Sequence, residues 1–238
     1  MASKTKLLEL VKSLRWKEVA QALKESPELL TFRDERGRNW LHICCGVKVK
    51  DIARAPESIK TAEVLLASGF SIDGEAFSEG TWKATPLWYA ISRGENLALA
   101  KYLLKRGCSP NHCLWAAAFQ NNLEAIRLLV SSGAEVNAIA ENETPFLAAI
   151  KWSHFEAAEE LLKLGADPNY RDPRGMTALH YMLKKSSDKK YFAMLLRYGV
   201  RGDIRDLNGV TAIDIMRRKK DPDFRAMAEQ LGALVTPS

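Results

Sequence analysis

The chain has 238 residues, of which 47% are hydrophobic, and a formal net charge of +6 at pH 7. This composition is ordinary for a globular protein and does not indicate long disordered segments. No run approaches the roughly 20 apolar residues of a membrane helix, and four cysteines are too few for a secreted disulfide framework. We therefore expect a protein of the reducing cytoplasm with no signal peptide and no membrane segment. A nuclear location, or delivery into a host cell, stays open.

The first residues of the chain predict two short amphipathic helices. One apolar face is formed by Leu7, Leu8, Val11 and Leu14, and the next by Trp16, Val19, Ala20 and Leu23. We predict that residues 4–31 form an N-terminal capping helix pair.

Two signatures recur along the rest of the chain with a period of about 33 residues. The first is a helix start such as the one at Thr144, and it recurs at Asn39, Thr85, His112, Thr177 and Thr211. The second is an apolar pair followed by glycine, with the glycines at Gly69, Gly107, Gly133, Gly165, Gly199 and Gly232. Thr caps a helix and Pro fits its first turn, whereas Gly permits the left-handed residue that ends one. Each copy is therefore predicted to be a helix pair.

These signatures resemble the ankyrin repeat, whose pattern is a Thr-Pro-Leu-His-like helix start, a Leu-Leu second helix and a Gly-Ala-Asp-x-Asn end. Residues 144–169 match this pattern almost throughout, and the resemblance covers about six repeats over residues 34–234. It implies an all-α solenoid of about seven stacked helix pairs with short hairpin fingers, in a single domain over residues 1–238. One helix pair cannot bury its apolar face alone, so the pairs are expected to stack. The family's His usually bonds to the capping Thr, so His42 and His180 are expected to be structural.

Three segments depart from the pattern. The first copy carries extra residues, 46–58, which we place between its two helices and expect to be open to trypsin. The connection after Gly69 is long and places Trp82 near a hairpin tip. The connection from Gly107 to Leu114 is short, so its finger should be missing and leave a notch.

The segment Cys108–Cys113, which includes His112, is the nearest approach to a metal site. Cys113 and His112 stand where other copies have Pro and Thr, and no second Cys/His cluster follows at a familiar spacing. We expect these cysteines to be packing residues and predict no metal and no cofactor.

The positive charge is concentrated in the last third, where residues 171–225 hold 14 basic and 7 acidic residues against 21 and 22 elsewhere. By resemblance, the finger tips and the exposed ends of the first helices line a concave groove. The basic and aromatic residues at those positions are Trp82, Lys83, Arg93, Phe119, Lys151, Trp152, Arg171, Arg174, Lys184, Lys185, Arg205, Arg218 and Lys219. Exposed aromatic rings beside Arg and Lys are typical of binding hot spots, although cations at helix ends also suit the helix dipole.

We interpret the chain as a non-catalytic, monomeric protein-protein interaction module that binds an acidic partner surface or segment through this groove. Two alternatives stay open. One is nucleic-acid binding through the basic C-terminal third. The other is a metalloprotein or enzyme centred on the Cys108–Cys113 segment.

Overall fold

The computed structural model describes residues 2–49, 54–79 and 82–233. Within these ranges the chain forms fourteen α-helices, one 3₁₀-helix (Pro27–Thr31) and one two-stranded antiparallel hairpin. The elements are α1 (Lys4–Lys12), α2 (Trp16–Glu25), α3 (Trp40–Cys45), α4 (Ala55–Ala67), β1 (Ser78–Glu79), β2 (Trp82–Lys83), α5 (Pro86–Ser92), α6 (Leu97–Lys105), α7 (Cys113–Phe119), α8 (Leu123–Ser131), α9 (Pro145–Lys151), α10 (Phe155–Lys163), α11 (Ala178–Lys184), α12 (Lys189–Leu196), α13 (Ala212–Arg218) and α14 (Pro222–Ala233). The prediction of an all-α fold built from about seven helix pairs is confirmed.

Contacts divide the chain into two compact units. The first comprises Met1–Ala117 with Arg127–Ala134, and the second comprises Ala118–Ile126 with Glu135–Ser238. In the first unit, α1, α3 and α5 pack in one row and α2, α4 and α6 in another. In the second unit, α11 packs on both α9 and α13, while α10 covers α9 and α14 covers α13. The single domain expected over residues 1–238 remains a prediction.

The first helix of each repeat begins where the Thr-Pro signature places it. The hydroxyl of Thr144 accepts the amide of Leu147 at 3.2 Å, and Thr85 accepts the amide of Trp88 at 3.3 Å. These bonds satisfy amides that have no partner within the first turn of a helix, and Pro145 needs none because it has no N–H.

The two histidines of the pattern join the start of one repeat to the finger of the next. Nδ1 of His180 lies 2.9 Å from Oγ1 of Thr177, and its Nε2 lies 3.2 Å from the carbonyl oxygen of Val210. His42 does the same with Asn39 at 2.7 Å and the carbonyl of Gly74 at 2.8 Å. Burial lowers the pKa of His42 to about 4, so the ring is neutral at neutral pH. The structural role expected of both histidines is confirmed.

Three of the fingers share a tight turn closed by an aspartate. Oδ1 of Asp172 accepts the amides of Arg174 and Met176, both at 2.9 Å. Asp34 and Asp206 each accept the amides two and four residues later in the same way. Each of these fingers is thus a turn closed by a buried or half-buried carboxylate.

The insertion predicted between the helices of the first repeat is shorter than residues 46–58. Helix α4 begins at Ala55 with Pro56 in its first turn, so the end of this segment is helical. Residues 50–53 lie outside the described residues. Arg54 donates to the carbonyl oxygen of Ser13 at 2.8 Å and Lys48 pairs with Glu95 at 2.6 Å. These two contacts hold the segment on both sides of residues 50–53.

Candidate functional site

The basic and aromatic residues expected to line a groove fall in both units. Trp82, Lys83 and Arg93 belong to the first. Trp82 begins β2, and only its backbone is described. Lys83 pairs with Glu75 at 2.5 Å, and the exposed Arg93 lies 6.0 Å over the ring of Trp88. In the first unit, therefore, the cations of the set already have contacts of their own.

In the second unit, seven residues of the set lie at the C-terminal ends of first helices. We call these the helix-end surface: Phe119, Lys151, Trp152, Lys184, Lys185, Arg218 and Lys219. Nζ of Lys185 donates to the carbonyl oxygen of Lys151, so the ends of α9 and α11 are directly joined. Helix α13 packs on α11 and extends the row.

An aromatic pair lies at the start of this surface. The rings of Phe119 and Trp152 meet edge to face, with centroids 4.9 Å apart and planes at 77°. Trp152 is 55% exposed although it is the largest side-chain type, whereas Phe119 is half-buried. Edge-to-face packing fixes the orientation of the indole and leaves much of its area in water.

The cations of the helix-end surface differ in what they already bind. Lys151 forms an ion pair with Glu143, whose side chain is buried. Lys219 lies 5.1 Å over the ring of Phe224. Lys184 and Arg218 are exposed, and within the part of the chain that the structure describes their side chains make no hydrogen bond or ion pair. These two have the charge most available to a partner.

The three arginines at finger tips are tied to the fingers themselves. Arg171 donates to the carbonyl oxygen of Arg205 at 3.0 Å, and Arg205 donates to the carbonyl of Gly209 at 2.6 Å. Arg174 donates to the hydroxyl of Tyr181 at 2.7 Å and lies 3.5 Å from Asp172. All three arginines remain exposed, although each already donates a hydrogen bond within the protein.

The turn-closing aspartates were missed by the sequence analysis. Their signal is an Asp-x-x-Gly run, which occurs at 34–37, 172–175 and 206–209. Burial opposes ionisation of Asp172, yet hydrogen bonds from Tyr181 and from the turn amides keep the pKa of this carboxyl below its ordinary value. Burial, together with the bond to Asp172, raises the pKa of Tyr181 to about 12. The pair is therefore a fixed structural contact of carboxylate and neutral phenol.

The two cysteines of the Cys108–Cys113 segment are buried in the core, as packing residues are. All four cysteines are buried free thiols. Burial raises the pKa of Cys108 to about 12 and also raises the pKa of Cys113, which opposes the thiolate form that ligates metals. Across residues 2–49, 54–79 and 82–233, no group of three or more His, Cys, Asp or Glu side chains is arranged to hold a metal ion.

None of the helices described has the length and apolar character required to cross a bilayer.

Comparison with known proteins identifies the repeats. Residues 111–172 match the family model described as ankyrin repeats (3 copies), and residues 82–113 match that of the ankyrin repeat. The chain is 31% identical over 186 residues to the transient receptor potential channel pyrexia of Drosophila melanogaster, an alignment that covers 68% of this chain and 18% of that protein. The chain spans about a fifth or less of the length of several such relatives.

Two solved structures have the same fold. The ankyrin repeat domain of human ASB11 superposes with a TM-score of 0.69 at 20% identity, covering 100% of both chains. The ankyrin repeat domain of Bcl-3, a member of the IkappaB protein family, superposes with a TM-score of 0.71 at 15% identity, covering 96% of this chain and 100% of that one. Repeat period, capped helix starts, family matches and fold agree, and the chain belongs to the ankyrin repeat family.

Proposed function

We propose that this chain is a non-catalytic, cytoplasmic binding protein that captures an acidic protein surface or segment, as a monomer, on its helix-end surface. Ankyrin repeats are generally protein-protein interaction modules, and their fold is typically a scaffold without catalytic activity. The acidic partner and the residues that bind it are the proposal.

The observation that carries the proposal is the exposed indole of Trp152 at the end of α9, in the same row of packed helices whose next two members end in the unpaired cations Lys184 and Arg218. Trp152 is held by Phe119 and is 55% exposed. An exposed Trp is costly to leave in water and gains most when a partner covers it, which is why Trp and Arg dominate interface hot spots. Lys184 and Arg218 add positive charge that no carboxylate of the described chain neutralises by an ion pair.

The charge and the ring are expected to contribute differently. Long-range attraction to an acidic surface steers the encounter and weakens as salt rises, because the Debye length falls to about 8 Å at physiological salt. Burial of the indole is independent of salt screening. The free energy of binding a partner here should therefore have a salt-dependent component from the cations and a salt-independent component from Trp152.

The test compares two charge-reversal triples. Lys184→Glu, Lys185→Glu and Arg218→Glu change the helix-end surface, whereas Lys163→Glu, Lys190→Glu and Arg225→Glu make the same change of charge on the second helices α10, α12 and α14. Proteins captured from the source cell by wild type are identified, and each is purified and titrated across a salt series. We expect at least one to bind wild type and the second-helix triple alike and to lose binding to the helix-end triple.

The single-residue arm uses Trp152→Ala against Leu207→Ala, since Leu207 is also exposed, at 73%. Truncating a hot-spot Trp weakens binding by roughly tenfold or more, and only Trp152→Ala should do so. Equal binding by both triples would refute the proposed surface. Capture of nucleic acid in preference to protein would favour the polyanion alternative instead.

A further inference from the structure

The first unit contains a cleft that no part of the proposed function uses. It is formed by helix α1, the 34–38 finger, and helices α3 and α5, and its volume is about 1010 Å³. We call it the cap cleft, because α1 precedes the first repeat and supplies one wall through Lys4, Leu8 and Lys12. Single-ligand pockets range from about 300 to 1,000 Å³, so there is room for several residues of a peptide.

The cap cleft is strongly positive. Six cations line it (Lys4, Lys12, Arg33, Arg36, Arg38 and Arg93) against two carboxylates (Asp34 and Glu35). Asp34 is already used, since it pairs with Arg38 at 2.7 Å and accepts the amides of its own turn. Lys12 and Arg36 are exposed, and their side chains make no hydrogen bond or ion pair within the described ranges.

The cap cleft also has an apolar floor. Phe32 stacks on the buried Trp40 with centroids 4.1 Å apart, and Nζ of Lys4 lies 4.5 Å from the centroid of the Phe32 ring. Phe77, which also lines the cleft, is 42% exposed, and Leu8 is half-buried. Such a floor can receive one bulky apolar side chain between flanking cations.

We infer that the cap cleft binds an acidic peptide segment in which carboxylates flank one aromatic or large aliphatic side chain. The carboxylates face Lys12 and Arg36, and the apolar side chain packs against Leu8 and Phe77. A single-stranded nucleic acid is a poorer fit because its successive bases stack on several open rings. Trp88 and Tyr89 are only 7% and 6% exposed and Phe32 is stacked on Trp40, so Phe77 is the one exposed ring among the described residues that line the cleft. Small inorganic anions fit poorly as well, since a cleft of about 1010 Å³ is far larger than such an ion. The site lies wholly in the first unit, so it stands independently of the helix-end surface.

The probe for this inference is a short fluorescein-labelled peptide with Glu and Asp on both sides of one Phe, measured by fluorescence anisotropy. Three comparison probes are a Gln/Asn version, a version with Ala in place of Phe, and an oligo-dT of equal length. We expect the acidic Phe peptide to bind wild type about tenfold or more tightly than any of the others, with affinity that falls as salt rises.

Matched variants locate the binding. Lys12→Glu with Arg36→Glu should weaken the acidic peptide about tenfold or more, whereas Lys101→Glu with Lys105→Glu, which changes the charge equally on α6, should leave it unchanged. Phe77→Ala should weaken binding while Ile139→Ala, at a site 49% exposed in the second unit, should not. Circular dichroism melts check that each variant is folded, and Lys12→Gln with Arg36→Gln replaces the reversal if it unfolds.

The helix-end triple separates this inference from the proposed function. If the cap cleft is a distinct site, Lys184→Glu, Lys185→Glu and Arg218→Glu leave peptide binding intact, even where partner capture is lost. Absence of peptide binding to wild type, equal binding of the Gln/Asn peptide or of oligo-dT, or wild-type affinity in the Lys12/Arg36 variant would each overturn the inference.

Discussion

Glu143 and Lys151 form an ion pair across the first helix of one repeat, and the carboxylate of Glu143 is buried while the ammonium of Lys151 is half-exposed. Glu143 is 4% exposed, so Lys151 places an opposite charge directly against a buried side chain. Lys151 therefore stabilises the fold, whatever it contributes to binding.

Replacing Lys151 with Met should destabilise the protein. Removing one member of a buried pair costs about 3–5 kcal/mol, and the partial exposure of Lys151 places the expected loss near the lower end. Lys184→Met, at an exposed position without such a pair, should change the free energy of unfolding by less than about 0.5 kcal/mol. Urea unfolding measures both, and Glu143→Gln with Lys151→Met should recover part of the loss. Equal stability of the two single variants would show that Glu143 is not held by Lys151.

The finger at 140–143 should be stabilised by glycine. Ala140 and Glu143 bridge across a two-residue turn in which Glu141 and Asn142 have φ of 55° and 61°. A left-handed residue costs an L-amino acid about 1–2 kcal/mol, which Gly avoids at a smaller entropic cost. Glu141→Gly should therefore raise stability by about 0.5–1 kcal/mol. The control is Glu63→Gly within helix α4, which should lower stability by about 1 kcal/mol. A loss of stability in both variants would contradict the turn.

Two glycines with the same backbone should respond differently to alanine. Gly37 and Gly209 have φ of 72° and 75° in equivalent fingers. A Cβ at Gly37 would meet the backbone carbonyl of Ala76, whereas one at Gly209 meets no atom within 4 Å. Gly209→Ala should cost about 1 kcal/mol from the left-handed backbone alone, and Gly37→Ala should cost more. Thermal melts of the two variants measure the difference in lost stability, which reports on the contact between neighbouring fingers. Equal losses of stability would show that this contact does not constrain position 37.

Stability should depend on His42 in a defined pH window. The folded pKa of about 4 lies below the ordinary value of 6.5, so the unfolded chain takes up a proton first as pH falls. The stability that the neutral imidazole of His42 contributes is complete above the unfolded pKa of about 6.5 and is lost as the pH falls from about 6.5 to about 4. Wild type should lose on the order of 2 kcal/mol between about pH 7 and pH 5 through this residue alone. His42→Gln should lose less over that range in urea titrations, and parallel curves would rule out the effect.

Sequence reasoning predicted the elements that depend on local chemistry. Thr144 and Pro145 indicate the start of a helix, and Gly165 indicates the end of one, because capping and left-handed turns are determined by the residue itself and its near neighbours. His180 could be assigned a structural role for the same reason, since its contact with Thr177 spans a single turn.

What sequence reasoning could not supply depends on neighbours about one repeat away. Arg171 was expected to face a partner, yet it donates to Arg205, 34 residues later. Ser109 donates its amide to Asp73, 36 residues earlier. These bonds arise from the stacking of one repeat on the next, which a pattern of residue types does not specify. The cap cleft was missed for the same reason, because α1 and the 34–38 finger are brought together only by packing.

The unfolding of each unit can be followed by a signal of its own, thiol reactivity for the first unit and tryptophan emission for the second. All four cysteines belong to the first unit, and Trp152 is the one tryptophan of the sequence in the second. Because burial raises the pKa of these thiols, a thiol reagent must wait for the first unit to open before it reacts. The difference in emission between wild type and Trp152→Phe belongs to the second unit. Followed together in one denaturant series, the two signals reveal whether the two units unfold together or one before the other. Stepwise unfolding is the expected behaviour when each repeat is stabilised only by its neighbours.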